Sequence, residues 1–303
     1  MKKCSFVEVG PRDGLQNHSR VLTLAERESF VRRLVADGVL EVEVGSFVRD
    51  DRIPQLAQTA KLVSKLQKFK TSKGRQPFFW AFVPNVRGME LALETAIDGV
   101  GLFVAASETF CNKNVSRTQA ELLLEIKNIL PMAKAAKRKV RVYLSTITFC
   151  PYEGAVRPAK VKKLVRNLID MGVDEVSLGD TTGHATPLDI SKLLAEVLKV
   201  APAGKITMHL HDTRGLAMAN VWESMRHGLN RFDSSLGGLG GCPYAPGAAG
   251  NLATEDLLFA LNSMGAMKST VDLNKLTKTS LWLEKQIGAK LPSKVLATFR
   301  KQS

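Results

Sequence analysis

Eight short β-prone runs alternate with longer amphipathic stretches along this chain, and that alternation limits the fold more than any other feature. The runs are Ser5–Val9, Leu40–Ser46, Phe78–Val83, Val100–Val104, Val140–Thr146, Glu175–Leu178, Ile206–His211 and Arg231–Ser234. Between them lie Leu24–Asp37, Gly88–Ile97, Gln119–Lys137, Pro158–Met171, Pro187–Val200 and Leu216–His227, whose apolar residues fall on one helical face. Repeated strand–helix units build a parallel sheet, because parallel neighbours need a crossover between them. Eight units in 303 residues predict a closed (β/α)8 TIM barrel, with an open doubly wound sheet as the alternative. No GxGxxG follows the first run, which argues against a dinucleotide-binding open sheet. Past the eighth run, Glu255–Met264, Leu273–Gln286 and Ser293–Arg300 read as further helices with no Pro/Ser-rich linker before them. Residues 1–303 are therefore read as one TIM-barrel catalytic domain, with about 255–303 as a C-terminal helical extension.

Bulk properties narrow the function classes. Hydrophobic residues make up 45% of the chain, enough for a large core, yet no run is long and apolar enough to span a membrane. The N-terminus shows neither a secretory h-region nor an Arg/Ser-rich leader. Cys4, Cys111, Cys150 and Cys242 are scattered with no CxxC pair, which reads as reduced thiols in a cytoplasmic protein. The net charge of +14 reads as a solvated basic surface or as a match for a polyanionic ligand. Lys134, Lys137, Arg138, Lys139 and Arg141 form the densest basic cluster, but aromatics are only 6% and do not interleave with it, so nucleic acid is not the expected partner.

The placement of polar residues points to a site. In a TIM barrel the chemistry collects at the C-terminal ends of the strands. Arg12 and Asp13 follow the first run, Glu43 and Ser46 close the second, and Tyr143, Ser145 and Thr146 close the fifth. Asp180 follows the sixth, His209 and His211 close the seventh, and Cys242 and Asn251 follow the eighth. Residues two apart on a strand share a face, so His209 and His211 present two imidazoles together. With Asp13 and Asn251 they offer two nitrogens and two oxygens, a mixed set suited to Mg2+ or Mn2+. Arg12 is placed to stabilise a developing oxyanion or enolate. Glu43 lies on an apolar strand and needs a partner inside a barrel, for which Arg12 is the nearest candidate. Asp180 is read as orienting a metal ligand or Arg12. Cys242, in a glycine-rich loop able to close over a site, is a candidate general acid or base.

These residues sit in motifs that resemble the 3-hydroxy-3-methylglutaryl-CoA lyase family. The likeness rests on Val7–Asn17, Cys150-Pro151-Tyr152-Glu153-Gly154, Ser177–Thr181 and, most specifically, Gly238–Asp256, and it runs from about residue 6 to residue 265. The wider group of metallolyase-type TIM barrels shares the Arg-Asp pair and the HxH but lacks the cysteine loop. The resemblance implies a divalent-metal retro-Claisen cleavage of 3-hydroxy-3-methylglutaryl-CoA to acetyl-CoA and acetoacetate. It also implies an acyl-CoA substrate, a homodimer, Asp13, His209, His211 and Asn251 as metal ligands, and Arg12 as the enolate-stabilising arginine. Glu43 and Asp180 match its supporting carboxylates and Cys242 its loop cysteine.

Two positions depart from the family pattern. His184 stands where a small or apolar residue is expected, and His18-Ser19-Arg20 replaces a stretch that often carries a lysine for CoA phosphates, with Arg20 as the candidate substitute. Two other activities remain open on sequence: cleavage of a longer-chain 3-hydroxyglutaryl-CoA analogue, and condensation of acetyl-CoA with a 2-oxo acid.

Overall fold

The eight predicted runs are all strands, and they close on themselves. The computed structural model describes residues 3–71, 73–242, 245–267 and 271–300, with side chains throughout except at 242 and 245–249. The strands are β1 (Ser5–Glu8), β2 (Glu41–Ser46), β3 (Phe78–Phe82), β4 (Gly99–Ala105), β5 (Lys139–Ser145), β6 (Glu175–Asp180), β7 (Ile206–Leu210) and β8 (Arg231–Ser234). Every neighbouring pair is parallel, and β1 pairs both with β8 (Ser5↔Arg231 through Glu8↔Ser234) and with β2 (Glu8↔Val42), which completes the barrel.

Helices α1 (Leu24–Ala36), α5 (Gln119–Ala135) and α7 (Pro187–Val197) each begin at a threonine capping box: Thr23 with Glu26, Thr118 with Glu121, and Thr186 with Asp189. Helix α6 (Pro158–Met171) starts on a proline, whose missing N–H costs nothing at that position, and stops at Gly172, where φ is 95°. Two helices are additional to the sequence expectation, α2 (Thr59–Leu66) and α4 (Glu108–Val115), in the connections after β2 and β4. Helix α3 (Val86–Leu93) starts and ends earlier than expected, because Asn85 caps it by accepting from Gly88 N. Helix α8 (Ala217–Arg226) completes the outer ring.

Strand alternation separates two interiors. Val42, Val44, Val140, Val142, Leu144, Val176, Leu178, Met208 and Leu210 face outward into the large apolar core between barrel and helices. The residues between them face the barrel axis. There, Val7, Val9, Trp80 and Phe78 form a separate small apolar cluster, and a charged network packs against Trp80. Arg231 donates to Glu41 at 2.6 Å and to Glu175 at 2.8 Å, and Arg141 pairs with Glu175 and Asp233 at 2.7 Å each. Arg141 is therefore not part of a solvated basic cluster as the sequence suggested; it is fully buried inside the barrel. Charges at that depth are tolerated only when paired, and removing one member of such a pair costs about 3–5 kcal/mol.

The C-terminal helices α9 (Thr254–Ser263), α10 (Leu273–Ile287) and α11 (Lys294–Arg300) brace the exit of β8. Glu255 accepts from Gly237 N at 2.7 Å and from Ser280 Oγ, and Ser293 N donates to Gly237 O at 2.9 Å. From the barrel side, Glu8 accepts from Leu236 N at 2.8 Å and from Thr254 Oγ1 at 2.6 Å. Burial raises Glu8 and Glu255 to about 7 each, against the hydrogen bonds that favour their ionised forms. A carboxyl raised in the folded state holds its proton more tightly there than in the unfolded chain. Its stabilising contribution is complete below the ordinary carboxylate range and is lost as pH rises through about 7. Glu255→Gln removes one such slope. The variant should gain on the order of 2 kcal/mol relative to the parent between about pH 5 and about pH 8. Urea midpoints measured at both pH values check this, and parallel behaviour of the two proteins would contradict it.

Candidate active site

The site begins in the turn after β1. The Val9 carbonyl accepts from the amides of Arg12, Asp13 and Gly14 at 3.1, 2.8 and 3.3 Å, winding Gly10–Gly14 into one tight π-type turn. This places two consecutive residues, Arg12 and Asp13, together at the barrel mouth. Arg12 Nε donates to Glu43 Oε2 at 2.6 Å and Nη1 to Asp13 Oδ1 at 2.6 Å. Tyr143 O–H donates to the same Glu43 oxygen at 2.8 Å. The guanidinium carbon lies 4.9 Å from the Tyr143 ring centre and 5.3 Å from that of Phe82. Gly101 keeps this packing possible, since a Cβ there would come within 2.9 Å of the Tyr143 ring and 3.1 Å of Glu43 Oε1.

Arg12 is thus clamped on two sides, with Nη2 uncommitted among the described residues. Burial opposes its charge, but the carboxylates of Glu43 and Asp13 overcome that and hold the group above its ordinary range. Asp13 is held down to about 2. Burial pushes it up, and Arg12, His209, His211 and the Asn251 hydrogen bond outweigh that.

His209 and His211 project from the end of β7 on the face that also carries Thr207, as alternation requires. Their Nε2 atoms are 3.3 Å apart, and His209 Nε2 is 3.9 Å from Asp13 Oδ2. Burial and the neighbouring His209 lower His211 to about 4, so at neutral pH it is an uncharged imidazole. Ligand atoms of Asp13, His209 and His211 all lie within 4.8 Å of one another. Two imidazole nitrogens this close repel if both turn lone pairs inward, unless a proton or a cation lies between them. His211 Nδ1 is buried with no hydrogen-bond partner among the described residues. One carboxylate and two imidazoles so arranged fit a divalent cation.

The segment after the glycine-rich loop returns to this cluster. Leu252 N donates to Leu210 O at 3.0 Å, which sets Asn251 opposite His211. Asn251 Nδ2 donates to Asp13 Oδ2 at 2.9 Å and to Leu239 O at 3.1 Å. The fourth expected ligand is therefore at the cluster, but with its amide nitrogen toward Asp13; ligation through Oδ1 requires the amide to turn over.

Residues 3–282 match the model of a family described as HMGL-like. The chain belongs to that family. It is 40% identical to the hydroxymethylglutaryl-CoA lyase of Bacillus subtilis over 99% of this chain and 98% of that protein. The crystal structure of hydroxymethylglutaryl-CoA lyase from Pseudomonas aeruginosa superposes with a TM-score of 0.94 at 37% identity, covering 100% of this chain and 99% of that one. An HMG-CoA lyase from Acinetobacter baumannii, solved with coenzyme A and 3-methylmalate, gives a TM-score of 0.88 at 31% identity, covering 97% and 94% of the two chains.

In this HMGL-like chain one expected residue makes other contacts than its sequence reading gave. Asp180 is buried, but its oxygens accept from His184 N and Ala185 N at 3.1 Å each. It organises its own loop and makes no hydrogen bond to Arg12 or to an imidazole among the described residues. The Cys242 side chain lies outside the described residues. Its backbone forms a short hairpin, Gly241–Cys242 against Ala245–Ala249. That hairpin follows Gly237, Gly238 and Gly240, whose φ values of 63°, 76° and 114° favour glycine. Arg20 is turned to Glu26 at 2.7 Å, at the start of α1. The unexpected His184 stacks on Phe149 with ring centres 4.0 Å apart and planes 9° apart.

The sequence reading passed over Asp233. It lies on β8 in register with His209, and its Oδ2 is 3.3 Å from His209 Nδ1. The available signal was a carboxylate in the middle of an expected strand, Arg231-Phe232-Asp233-Ser234, a weaker signal than that of Glu43 because Phe232 is the one apolar residue of the four.

Proposed function

We propose that this chain is a divalent-metal-dependent carbon–carbon lyase that cleaves 3-hydroxy-3-methylglutaryl-CoA to acetyl-CoA and acetoacetate. The observation that carries the reading is the Asp13–His209–His211 cluster with the Arg12 guanidinium fixed against it, 2.6 Å from Asp13 Oδ1. The names of the relatives support the same reaction class. Asp13, His209 and His211, with Asn251 as the fourth candidate, would hold Mg2+ or Mn2+. A cation bound there would acidify a chelated tertiary hydroxyl and fix its orientation.

The rest is the work of the chain's own groups. One group, Asp13 or a histidine of the cluster such as His209, takes up the hydroxyl proton as it leaves. As the C–C bond breaks, its electron pair moves into the thioester and negative charge collects on the thioester oxygen. Arg12 stabilises that charge from a position Glu43 and Tyr143 hold in advance, so no reorganisation is needed at the moment of reaction. Cys242, on the glycine-rich loop, delivers a proton to the enolate carbon to give acetyl-CoA. Glu43 acts through Arg12, and Asp180 through the 180–185 loop.

The same reading takes residues 1–303 as one catalytic domain with about 255–303 as its helical extension, active as a homodimer in the cytoplasm. Its partner is an acyl-CoA, not nucleic acid or membrane. Among the described residues no helix is long and apolar enough to cross a membrane, and Cys4, Cys111 and Cys150 are free thiols. Incubation with 3-hydroxy-3-methylglutaryl-CoA should release acetyl-CoA and acetoacetate in equal amounts. Turnover seen only with acetyl-CoA and a 2-oxo acid, or only with longer-chain analogues, would contradict the assignment.

A further inference from the structure

We propose that Asp233, held by Arg141 and Ser177, is a positioning residue that fixes His209 in the tautomer protonated on Nδ1, so that Nε2 turns its unshared pair to Asp13 and His211. The proposal deepens the cation-site reading above and rests on it for its consequence, though not for its geometry.

The Asp233 side chain is wholly buried and every polar contact is directed. Oδ1 accepts from Arg141 Nη2 at 2.7 Å, and Oδ2 accepts from Ser177 Oγ at 2.7 Å while lying 3.3 Å from His209 Nδ1. An ionised carboxylate can only accept, so the hydrogen between it and the imidazole belongs to Nδ1. Arg141 keeps the carboxylate ionised, because a guanidinium does not surrender its proton. Its own place is fixed by the Trp80 and Tyr143 rings, at 5.4 and 4.9 Å from the guanidinium carbon, and by Glu175 at 2.7 Å.

Glu175 also accepts from Arg231 at 2.8 Å and from Thr207 at 2.7 Å, and Arg231 reaches Glu41 at 2.6 Å. The charges therefore alternate in sign across the barrel interior, from Glu41 through Arg231, Glu175, Arg141 and Asp233 to the imidazole. A pair serving stability alone would not need a carboxylate oxygen aimed at a histidine nitrogen. His211 has no equivalent partner on Nδ1 among the described residues, so only one of the two imidazoles has its tautomer set by the protein. Backing of this kind raises ligand basicity, and its loss typically costs about 10- to 100-fold in metal affinity.

The test is the tautomer itself together with Mn2+ affinity, both read on the full chain. With only five histidines, nitrogen-15 labelling of histidine and long-range nitrogen–proton correlation, in chelator-treated protein, resolve His209. The wild type should show His209 protonated on Nδ1. In Asp233→Asn the amide can donate to Nδ1, so the proton should move to Nε2, and the Mn2+ Kd, from the free-ion paramagnetic resonance signal, should rise about 10- to 100-fold. Ser177→Ala, which keeps the charge pair and loses only one orienting hydroxyl, should show a smaller rise with the tautomer retained. A wild-type His209 protonated on Nε2 would overturn the proposal, as would an Asp233→Asn protein that binds Mn2+ within about twofold of wild type. If Asp233→Asn does not fold, the wild-type spectrum and Ser177→Ala decide. A wild type that binds no Mn2+ but shows the Nδ1 tautomer would contradict the cation reading and support the positioning role.

Discussion

Arg12→Gln should lower kcat by about 10²- to 10³-fold, with the chain still folded and KM little changed. The guanidinium is committed through Nε to Glu43 and through Nη1 to Asp13 at 2.6 Å each. What remains to meet charge developing on substrate is Nη2, and a glutamine has no group to put there. The loss falls on the transition state because the thioester oxygen carries little charge before the C–C bond breaks. Glutamine can still donate one N–H toward Glu43, and Tyr143 keeps its 2.8 Å hydrogen bond to that carboxyl. A stability cost of about 3–5 kcal/mol is the expected scale for breaking a buried pair, partly recovered if Glu43 takes up a proton. Lysine should not restore activity, since a point charge cannot bridge Glu43 and Asp13 and still face the substrate. Steady-state kinetics beside thermal unfolding separate the two effects, and turnover close to wild type would refute the role given to Arg12.

Cys242→Ala should lower kcat by about 10²- to 10⁴-fold and leave Mn2+ binding intact. Cys242 belongs to the glycine-rich loop that leaves β8. Its root is pinned from inside the barrel by Glu8 on Leu236 N at 2.8 Å and from the C-terminal helices by Glu255 on Gly237 N at 2.7 Å. Leu239 O accepts from Asn251 at 3.1 Å, tying the loop to the residue that also contacts Asp13. Beyond Gly240 the chain turns into the hairpin that carries Cys242. A fixed root beside the cluster and a glycine-rich arm suit a thiol that approaches the enolate and gives it a proton. A Cys242→Ala protein with full activity would remove the cysteine from the mechanism.

Much of this was legible in the sequence because strand physics leaves a plain trace. A strand buried on both faces is mostly apolar, so ionisable residues within it stand out, as Glu43 does in β2 and His209 with His211 at the end of β7. The two-residue repeat that put both imidazoles on one face is the geometry found. Helices α2 and α4 were missed; each is an eight-residue helix inside a connection that a longer helix or strand follows, and two turns give an apolar stripe little weight. Arg141 and Asp233 were not connected because they are 92 residues apart and meet only across the closed barrel. On its own, Arg141 near four other basic residues looks like surface charge. Asp180 shows the opposite limit. Its place at the end of β6 was clear, but two loop amides claim its oxygens, and no pattern in the sequence ranks those donors against an imidazole or a guanidinium.

The most direct test of the central claim is acetoacetate release from 3-hydroxy-3-methylglutaryl-CoA by protein stripped with EDTA, before and after Mg2+ or Mn2+ is restored. The account predicts no release from the stripped protein and rapid release once either cation is added. Release at an undiminished rate without the cation, or none with it from folded protein, would contradict the account.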